Sequence, residues 1–136
     1  RKTRRKNLMA QMEINNIIKI PCTSELNFYE NWLIALKPFH SLSNGEIRIC
    51  AAFLKQRNNL CKAISDEKMV DKLLFSKEIK QEIMKELDAS IFLVDNVIRR
   101  LREKGVLNHN TFNKRIFPNV KGENEPFKLM FLFDFQ

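Results

Sequence analysis

The chain has 136 residues, of which 44% are hydrophobic and 29% are charged. This balance supplies an apolar core for one domain and excludes an intrinsically disordered chain. The formal net charge is +8, and five of the positive charges lie in a basic arm over residues 1–10: Arg1, Lys2, Arg4, Arg5 and Lys6. Such an arm is typical of proteins that bind a polyanion, although a solvated terminus has the same composition.

The sequence contains no motif for catalysis, for a metal site or for a membrane span. His40 and His109 are far apart and have no cysteine or carboxylate at metal-ligand spacing. Glycine-rich phosphate loops and nucleophile motifs are absent, and no apolar run approaches the ~20 residues that cross a bilayer. Three cysteines without a C-x-x-C pair favour free thiols in a reducing compartment. We expect a non-enzymatic protein with no cofactor, no metal, no membrane contact and no small-molecule substrate.

The first third of the chain predicts a strand followed by a helix. In "MEINNIIKI", residues 12–20, apolar side chains alternate at period two, which indicates a strand that ends at Pro21. The stretch "TSELNFYENWLIALKPFH" has an N-cap residue in Ser24 and apolar side chains three and four residues apart. It predicts a helix that stops at Pro38.

The next segment carries the clearest local signal in the chain. In "LSNGEIRICAAFLKQRNNL", Ser43 and Glu46 stand three residues apart and form a capping box for a helix. Its predicted buried stripe consists of Ile47, Cys50, Ala51 and Leu54. The following "KAISDEKMVDKLLF" is ambiguous, because residues 65–67 look like a helix start whereas "LLF" could be a short strand.

Two further helices and a β-hairpin are predicted for the remainder. Ser76 caps a helix over 76–88, Ser90 caps the next one, and Gly105 suits the left-handed end of that second helix. The second helix has an apolar inner face of Val94, Val97, Ile98 and Leu101. Strands over 111–117 and 127–135 then form a hairpin, which we expect to pack on the helices through Phe127, Leu129, Phe131, Phe133 and Phe135.

The segment "ELDASIFLVDNVIRRLREKGVL", residues 86–107, resembles winged helix-turn-helix domains, including MarR-like regulators and many phage regulators. The matching positions are Leu87, Ser90, Val94, Ile98, Leu101, Gly105, Val106 and Leu107. Two positions in the turn depart from the family pattern, because Asp88 replaces the usual glycine and Ala89 replaces a branched apolar residue. The whole chain is also similar to small winged-helix proteins of tailed phages.

The resemblance implies a mainly α fold with a C-terminal β-hairpin: a winged helix-turn-helix with an added N-terminal strand and helix. Residues 11–136 would form one domain, with the helix-turn-helix at about 76–104 and the wing hairpin at about 106–135. Such a protein would lie in the cytoplasm of a bacterial or phage-infected cell, or within a virion. Its expected partner is duplex DNA, bound by the 90–104 helix, the wing and the arm, as in a transcription or replication regulator.

Particular side chains follow from that expectation. Asn96 could pair with an adenine edge, and Arg99 or Arg100 could reach guanine or phosphate. Phosphate contacts from the wing would come from Lys114, Arg115 and Lys121, and the basic arm could enter a minor groove. The cations of "RRLREK" also have a simpler explanation, as a solvated helix end with charges that suit the helix dipole.

Two features oppose DNA binding and leave a second function open. The first turn of the 90–104 helix presents the apolar residues Ile91, Phe92 and Leu93, which offer few hydrogen bonds to bases. The preceding helix, 76–88, has three lysines against four carboxylates and is therefore acidic. The alternative is a structural or adaptor protein, such as a phage virion or assembly component, that binds other protein chains through this apolar turn. We expect Phe92 and Leu93 to be covered by the N-terminal strand, a second copy or another protein.

Overall fold

A computed structural model of the protein describes residues 18–118, 127, 129, 131 and 133–135. In these ranges the chain forms six α-helices, one two-stranded antiparallel hairpin and one 3-10 helix. The helices are α1 (Glu25–Ala35), α2 (Lys37–His40), α3 (Asn44–Ala63), α4 (Glu67–Leu74), α5 (Lys77–Leu87) and α6 (Ile91–Glu103). The hairpin pairs β1 (Leu107–Asn108) with β2 (Thr111–Phe112), and the 3-10 helix is Lys114–Ile116.

Side-chain caps fix where the longer helices begin, as their sequences predict. Each of these caps has extended backbone and accepts a hydrogen bond from a backbone N–H two or three residues later, which would otherwise have no partner. The caps are Ser24, Ser43, Asp66, Ser76 and Ser90. The ambiguous segment over 62–75 therefore contains a helix, α4, and the alternative of a short strand at "LLF" is wrong.

The helix predicted to stop at Pro38 ends earlier. Leu36 closes α1, and Pro38 lies in the first turn of the short helix α2, where its missing N–H costs nothing. His40 joins these two helices to the next segment. Its Nδ1 accepts from the Leu42 N–H at 2.9 Å, so its proton is on Nε2 and donates to the Leu33 carbonyl at 2.6 Å.

Helix α3 is the centre of the core. Its six consecutive residues 49–54 are all buried, so the helix is enclosed on every side and not only along the predicted stripe. It contacts α1, α4, α5 and α6. Phe53 is fully buried and stacks on Phe75 with ring centroids 5.1 Å apart, while Phe75 also contacts Phe112 of the hairpin.

A tight left-handed turn joins α5 to α6. Asp88 has φ 51°, and the Ala89 N–H donates to the Met84 carbonyl at 2.9 Å, which closes the end of α5. Asp tolerates this conformation, so its replacement of glycine does not prevent the turn. The predicted inner face of α6 is buried, namely Val94, Val97, Ile98 and Leu101.

The end of α6 leads directly into the hairpin. Gly105 has φ 77°, a conformation that favours glycine, and the Val106 N–H donates to the Leu101 carbonyl at 2.9 Å. In the hairpin Leu107 pairs with Phe112, and His109 has φ 57° in the turn. The mainly helical architecture with a small hairpin towards the C-terminus is therefore confirmed.

Three predictions about strands are wrong in the described residues. The strand expected over 111–117 extends only to Phe112, because residues 114–116 turn into the 3-10 helix. Residues 18–20, the described end of the predicted N-terminal strand, are exposed and belong to no strand; residues 11–17 lie outside the described residues. The described residues between 127 and 135 also belong to no strand, and the hairpin that the structure describes is 107–112. The wing bounds of about 106–135 stay a prediction, because residues 119–126, 128, 130 and 132 lie outside the described residues.

Among the described residues of the apolar face predicted for 127–135, only Phe127 is partly buried. Phe127 makes edge contacts with Phe28 and Trp32 of α1, at centroid distances of 5.6 and 5.2 Å. Phe131 stacks on the exposed ring of Phe39, but it remains 48% exposed. Leu129, Phe133 and Phe135 are exposed as well. Alternation at period two therefore does not mark a buried face here.

These differences in burial predict that two Phe-to-Ala substitutions lower the free energy of unfolding by different amounts. Phe53→Ala should lower the free energy of unfolding by about 3–5 kcal/mol, because it removes a fully buried ring from the centre of the core. Phe131→Ala is the matched control and should lower it by much less, since half of that ring is exposed. Urea denaturation of both variants measures the difference. Equal losses would contradict this description of the core.

Candidate nucleic-acid interface

The outward face of α6 is the candidate interface. Burial of its inner side chains places the opposite side at the surface over the full length of the helix. The exposed residues of α6 are Phe92, Leu93, Asp95, Arg99, Arg100, Arg102 and Glu103, and Asn96 is half-buried. The inner face that the sequence predicts is therefore the buried one, and it leaves these side chains facing outward.

The first turn of this face is apolar and open. Phe92 is 83% exposed and Leu93 is 46% exposed, whereas Ile91 is half-buried. No described part of this chain covers Phe92. The expectation that another chain or the N-terminal strand covers Phe92 and Leu93 stays a prediction, because residues 12–17 lie outside the described residues.

The polar side chains that follow have partners within the chain. Arg99 donates to the Asn96 side-chain oxygen at 2.5 Å and lies 3.9 Å from a Glu103 carboxylate oxygen. Asp95 accepts from Lys80 of α5 at 3.1 Å. The predicted adenine-reading group, the Asn96 amide, is thus already hydrogen-bonded through its oxygen.

Arg102 connects α6 to the hairpin. Its Nε donates to the His109 carbonyl at 2.9 Å, and a terminal nitrogen donates to the Asn110 side-chain oxygen at 2.8 Å. Both acceptors lie in the turn between β1 and β2. The arginine therefore fixes the hairpin tip relative to the exposed face of α6. The sequence did not reveal this role, since nothing in its local pattern distinguishes Arg102 from its neighbours.

A buried carboxylate joins the end of α6 to the start of α3. Glu46 is 3% exposed, accepts from Lys104 at 2.7 Å and from Arg100 at 3.3 Å, and also accepts from the Ser43 N–H in the capping box. Lys104 additionally donates to the Ser41 carbonyl at 2.9 Å. A charge this deeply buried is tolerated only when it is paired and hydrogen-bonded. Arg100, predicted to reach guanine or phosphate, is therefore already an ion-pair partner.

These partners set the protonation state of Glu46. Burial acts to raise the pKa of this carboxyl, but hydrogen bonds from Lys104 and the Ser43 N–H, the Lys104 charge and the Arg100 hydrogen bond outweigh it. Together they lower the pKa from 4.5 to about 2. Glu46 thus stays ionised at neutral pH and favours one arrangement of α3 and α6.

Charge on the preceding helix α5 is arranged by face. Glu86 pairs with Lys55 of α3, so this carboxylate is neutralised on the side towards the core helix. Lys77 and Lys80 lie on another side, where they border an open cleft of about 410 Å³ with Gln81, Met84 and Ile91. Although α5 as a whole is acidic, its side next to the first turn of α6 carries lysines.

Positive charge is concentrated in one part of the described sequence. Residues 18–96 contain 11 basic and 11 acidic side chains, whereas residues 97–118 contain six basic side chains and one acidic one. Lys114 and Arg115 are exposed on the 3-10 helix that follows the hairpin. Even with Glu46 included as the partner of Arg100 and Lys104, this region has a net charge of +4. Lys121 and the arm residues of 1–6 lie outside the described residues.

The structure shows no arrangement for metal chemistry in the ranges it describes. Both ring nitrogens of His40 are hydrogen-bonded to backbone, and no group of three or more potential ligands comes together there. Burial lowers the pKa of His40, as do the nearby charges of Lys104 and Lys37, although its bond to the Leu33 carbonyl acts in the opposite direction. No described helix is both long and apolar enough to cross a membrane.

Comparisons of the chain with models of protein families, with curated proteins and with solved structures find no match.

The lowered pKa of Glu46 predicts a pH dependence of stability. A carboxyl with a lower pKa in the folded state stabilises the fold above its ordinary pKa, and this contribution disappears as pH falls from about 4.5 to about 2. The contribution is on the order of 3 kcal/mol. Urea denaturation from pH 7 to pH 2 should show Glu46→Gln less stable than wild type at neutral pH, with the difference vanishing in acid.

Glu103→Gln is the matched control, because Glu103 is an exposed carboxylate on α6 with a long ion-pair distance to Arg99. Its stability should follow the wild-type curve at every pH. If Glu46→Gln also followed the wild-type curve, the buried ion pairs would not stabilise the fold.

Proposed function

We propose that this protein binds duplex DNA through α6, the hairpin and the 3-10 helix, as a winged-helix regulator of transcription or replication would. The observation that carries the proposal is the position of the positive charge. All of the excess cations between residues 18 and 118 lie in residues 97–118, which begin in α6 and continue through the hairpin. A localised excess of cations is the electrostatic property that attracts a phosphate backbone.

The helix geometry supports the same function. Helices α5 and α6 are joined by the left-handed turn at Asp88, and α6 is anchored by its inner face while its outer face is open. A helix-turn-helix protein needs this combination, because the second helix must enter a major groove while staying fixed to the core. The hairpin takes the place of the wing, and Arg102 holds its tip in position beside α6.

Phosphate contacts in this arrangement come from several sources. Lys114 and Arg115 are exposed beside the hairpin, and Arg99 is exposed on α6. Lys121 and the basic arm add further cations in sequence, and the arm suits an adjacent minor groove. Asn96 and Arg99 can contact bases only if their mutual hydrogen bond opens or is shared.

Salt dependence of binding tests this proposal. Each phosphate contact contributes about 0.9 to the slope of log affinity against log salt concentration. The double variant Lys114→Ala, Arg115→Ala should therefore bind a random-sequence duplex more weakly and with a slope smaller by about 2. Fluorescence anisotropy over a series of salt concentrations measures both quantities.

The matched control is Lys68→Ala, Lys72→Ala, which removes two exposed lysines from α4, outside the cationic region. This variant should keep the wild-type slope. Equal effects of the two double variants would show that binding depends on net charge and not on this surface. A wild-type protein with no duplex binding at low salt would contradict the function itself.

A second candidate function, a structural or adaptor role such as that of a phage virion or assembly component, is favoured by the exposure of Phe92 and Leu93. An apolar pair at the surface commonly marks a protein interface. In that role the wild-type protein should form a concentration-dependent dimer in sedimentation velocity. Phe92→Asp, Leu93→Asp should abolish this dimer and leave the melting temperature unchanged.

Met69→Asp is the control for this second test, because Met69 is 46% exposed on α4 and lies on a different helix. It should leave the dimer intact. A wild-type protein that stays monomeric at every concentration would contradict self-association through the apolar turn.

A further inference from the structure

The hydrogen-bonding groups on the outer face of α6 are largely committed within the chain. Asp95 is bound by Lys80, the Asn96 oxygen is bound by Arg99, and Arg102 is bound to the hairpin turn. Hydrogen bonds to base edges would have to compete with these contacts. The apolar side chains of the first turn have no such hydrogen bonds to give up before they contact a ligand.

Those apolar side chains are consecutive in the first turn of α6, and the first of them lies beside basic residues of α5. Phe92 is the most exposed side chain of α6 among its large hydrophobics, and Leu93 beside it is also exposed. Ile91 borders the open cleft against α5, whose margin carries Lys77 and also Lys80, the ion-pair partner of Asp95. The first turn of α6 thus presents apolar side chains next to a lysine. Its complement is a ligand surface with an apolar group next to a phosphate.

The major groove of DNA has one such apolar feature, the C5-methyl group of a pyrimidine. Resting on the proposed function, we propose that Phe92 and Leu93 read C5-methyl groups in the major groove, so that the protein prefers duplexes rich in thymine. Lys77 would lie near a flanking phosphate. 5-Methylcytosine presents the same methyl group, so the shared chemistry is a C5-methylated pyrimidine.

Charge complementarity favours duplex DNA over an apolar protein partner on this surface. The same helix continues from Phe92 into the cationic region of residues 97–118, and the hairpin held by Arg102 follows it. A polyanion contacts both parts at once, because a phosphate backbone borders the groove that displays the methyl groups. A neutral apolar partner would satisfy only the first turn.

Base analogues test this inference without altering the protein. Four duplexes of equal length and non-alternating base order are compared by fluorescence anisotropy at constant salt: an A·T duplex, the same duplex with uracil for thymine, a G·C duplex, and the same duplex with 5-methylcytosine for cytosine. Within each pair only the C5-methyl group differs in the major groove. We expect about fourfold tighter binding for each methyl group that is buried, in both pairs.

The difference should depend on the apolar turn. Phe92→Ala, Leu93→Ala should bind the thymine and uracil duplexes equally, at the affinity that wild type shows for uracil. Phe39→Ala is the matched control, because Phe39 is 74% exposed on α2 and lies outside α6. It should retain the wild-type preference. Thermal melts confirm that both variants fold.

The outcomes separate this inference from the function on which it rests. Equal wild-type affinity for thymine and uracil duplexes would overturn methyl reading while leaving DNA binding in place. A preference in the thymine pair alone would restrict the ligand to thymine, and one in both pairs would establish the methyl group as the recognised feature. Absence of binding to all four duplexes would overturn both the inference and the proposed function.

Discussion

Complete enclosure of one helix is the constraint on which the rest of the structure depends. The six buried residues 49–54 of α3 leave no side for water over this stretch, so other helices must cover it on all sides. Helices α1, α4, α5 and α6 do so, and their own outward faces follow from that requirement. The single carboxylate buried near the start of α3, Glu46, consequently needs partners from elsewhere in the chain, and the end of α6 provides them.

The elements that the sequence predicted correctly depend on local interactions. Caps such as Ser43 and Ser90 act on N–H groups three residues away, and the apolar spacing of α6 determines its inner face. The prediction of a C-terminal strand is wrong for the described residues, because a period-two pattern forms a strand only when a partner strand and a core are present. Phe133 and Phe135 continue the alternation but are 81% and 96% exposed. Over 62–75 the sequence alone leaves helix and strand open; in the structure Asp66 caps α4 and Leu74 packs in the core.

In the candidate interface, too, local features can be predicted from the sequence and long-range contacts cannot. Helical phase was enough to predict that Phe92, Asp95 and Arg99 face outward. It could not predict which of these side chains are paired, because the partners come from distant parts of the chain. Glu46 is more than 50 residues from both Arg100 and Lys104, and its capping-box spacing revealed only the contact with Ser43. Fewer cations are therefore free to contact a ligand than the sequence predicts.

Cys50 turns the enclosure of α3 into an observable quantity. Its thiol is fully buried, and burial raises its pKa far above the ordinary range of thiols. Because only a thiolate in contact with solvent reacts with alkylating reagents, this sulfur is chemically silent in the closed fold. Cys22 and Cys61 are exposed and can be labelled in the native state. After those two are blocked, the rate of alkylation at Cys50 reports how often the helices around α3 separate. This rate therefore measures local opening of the core.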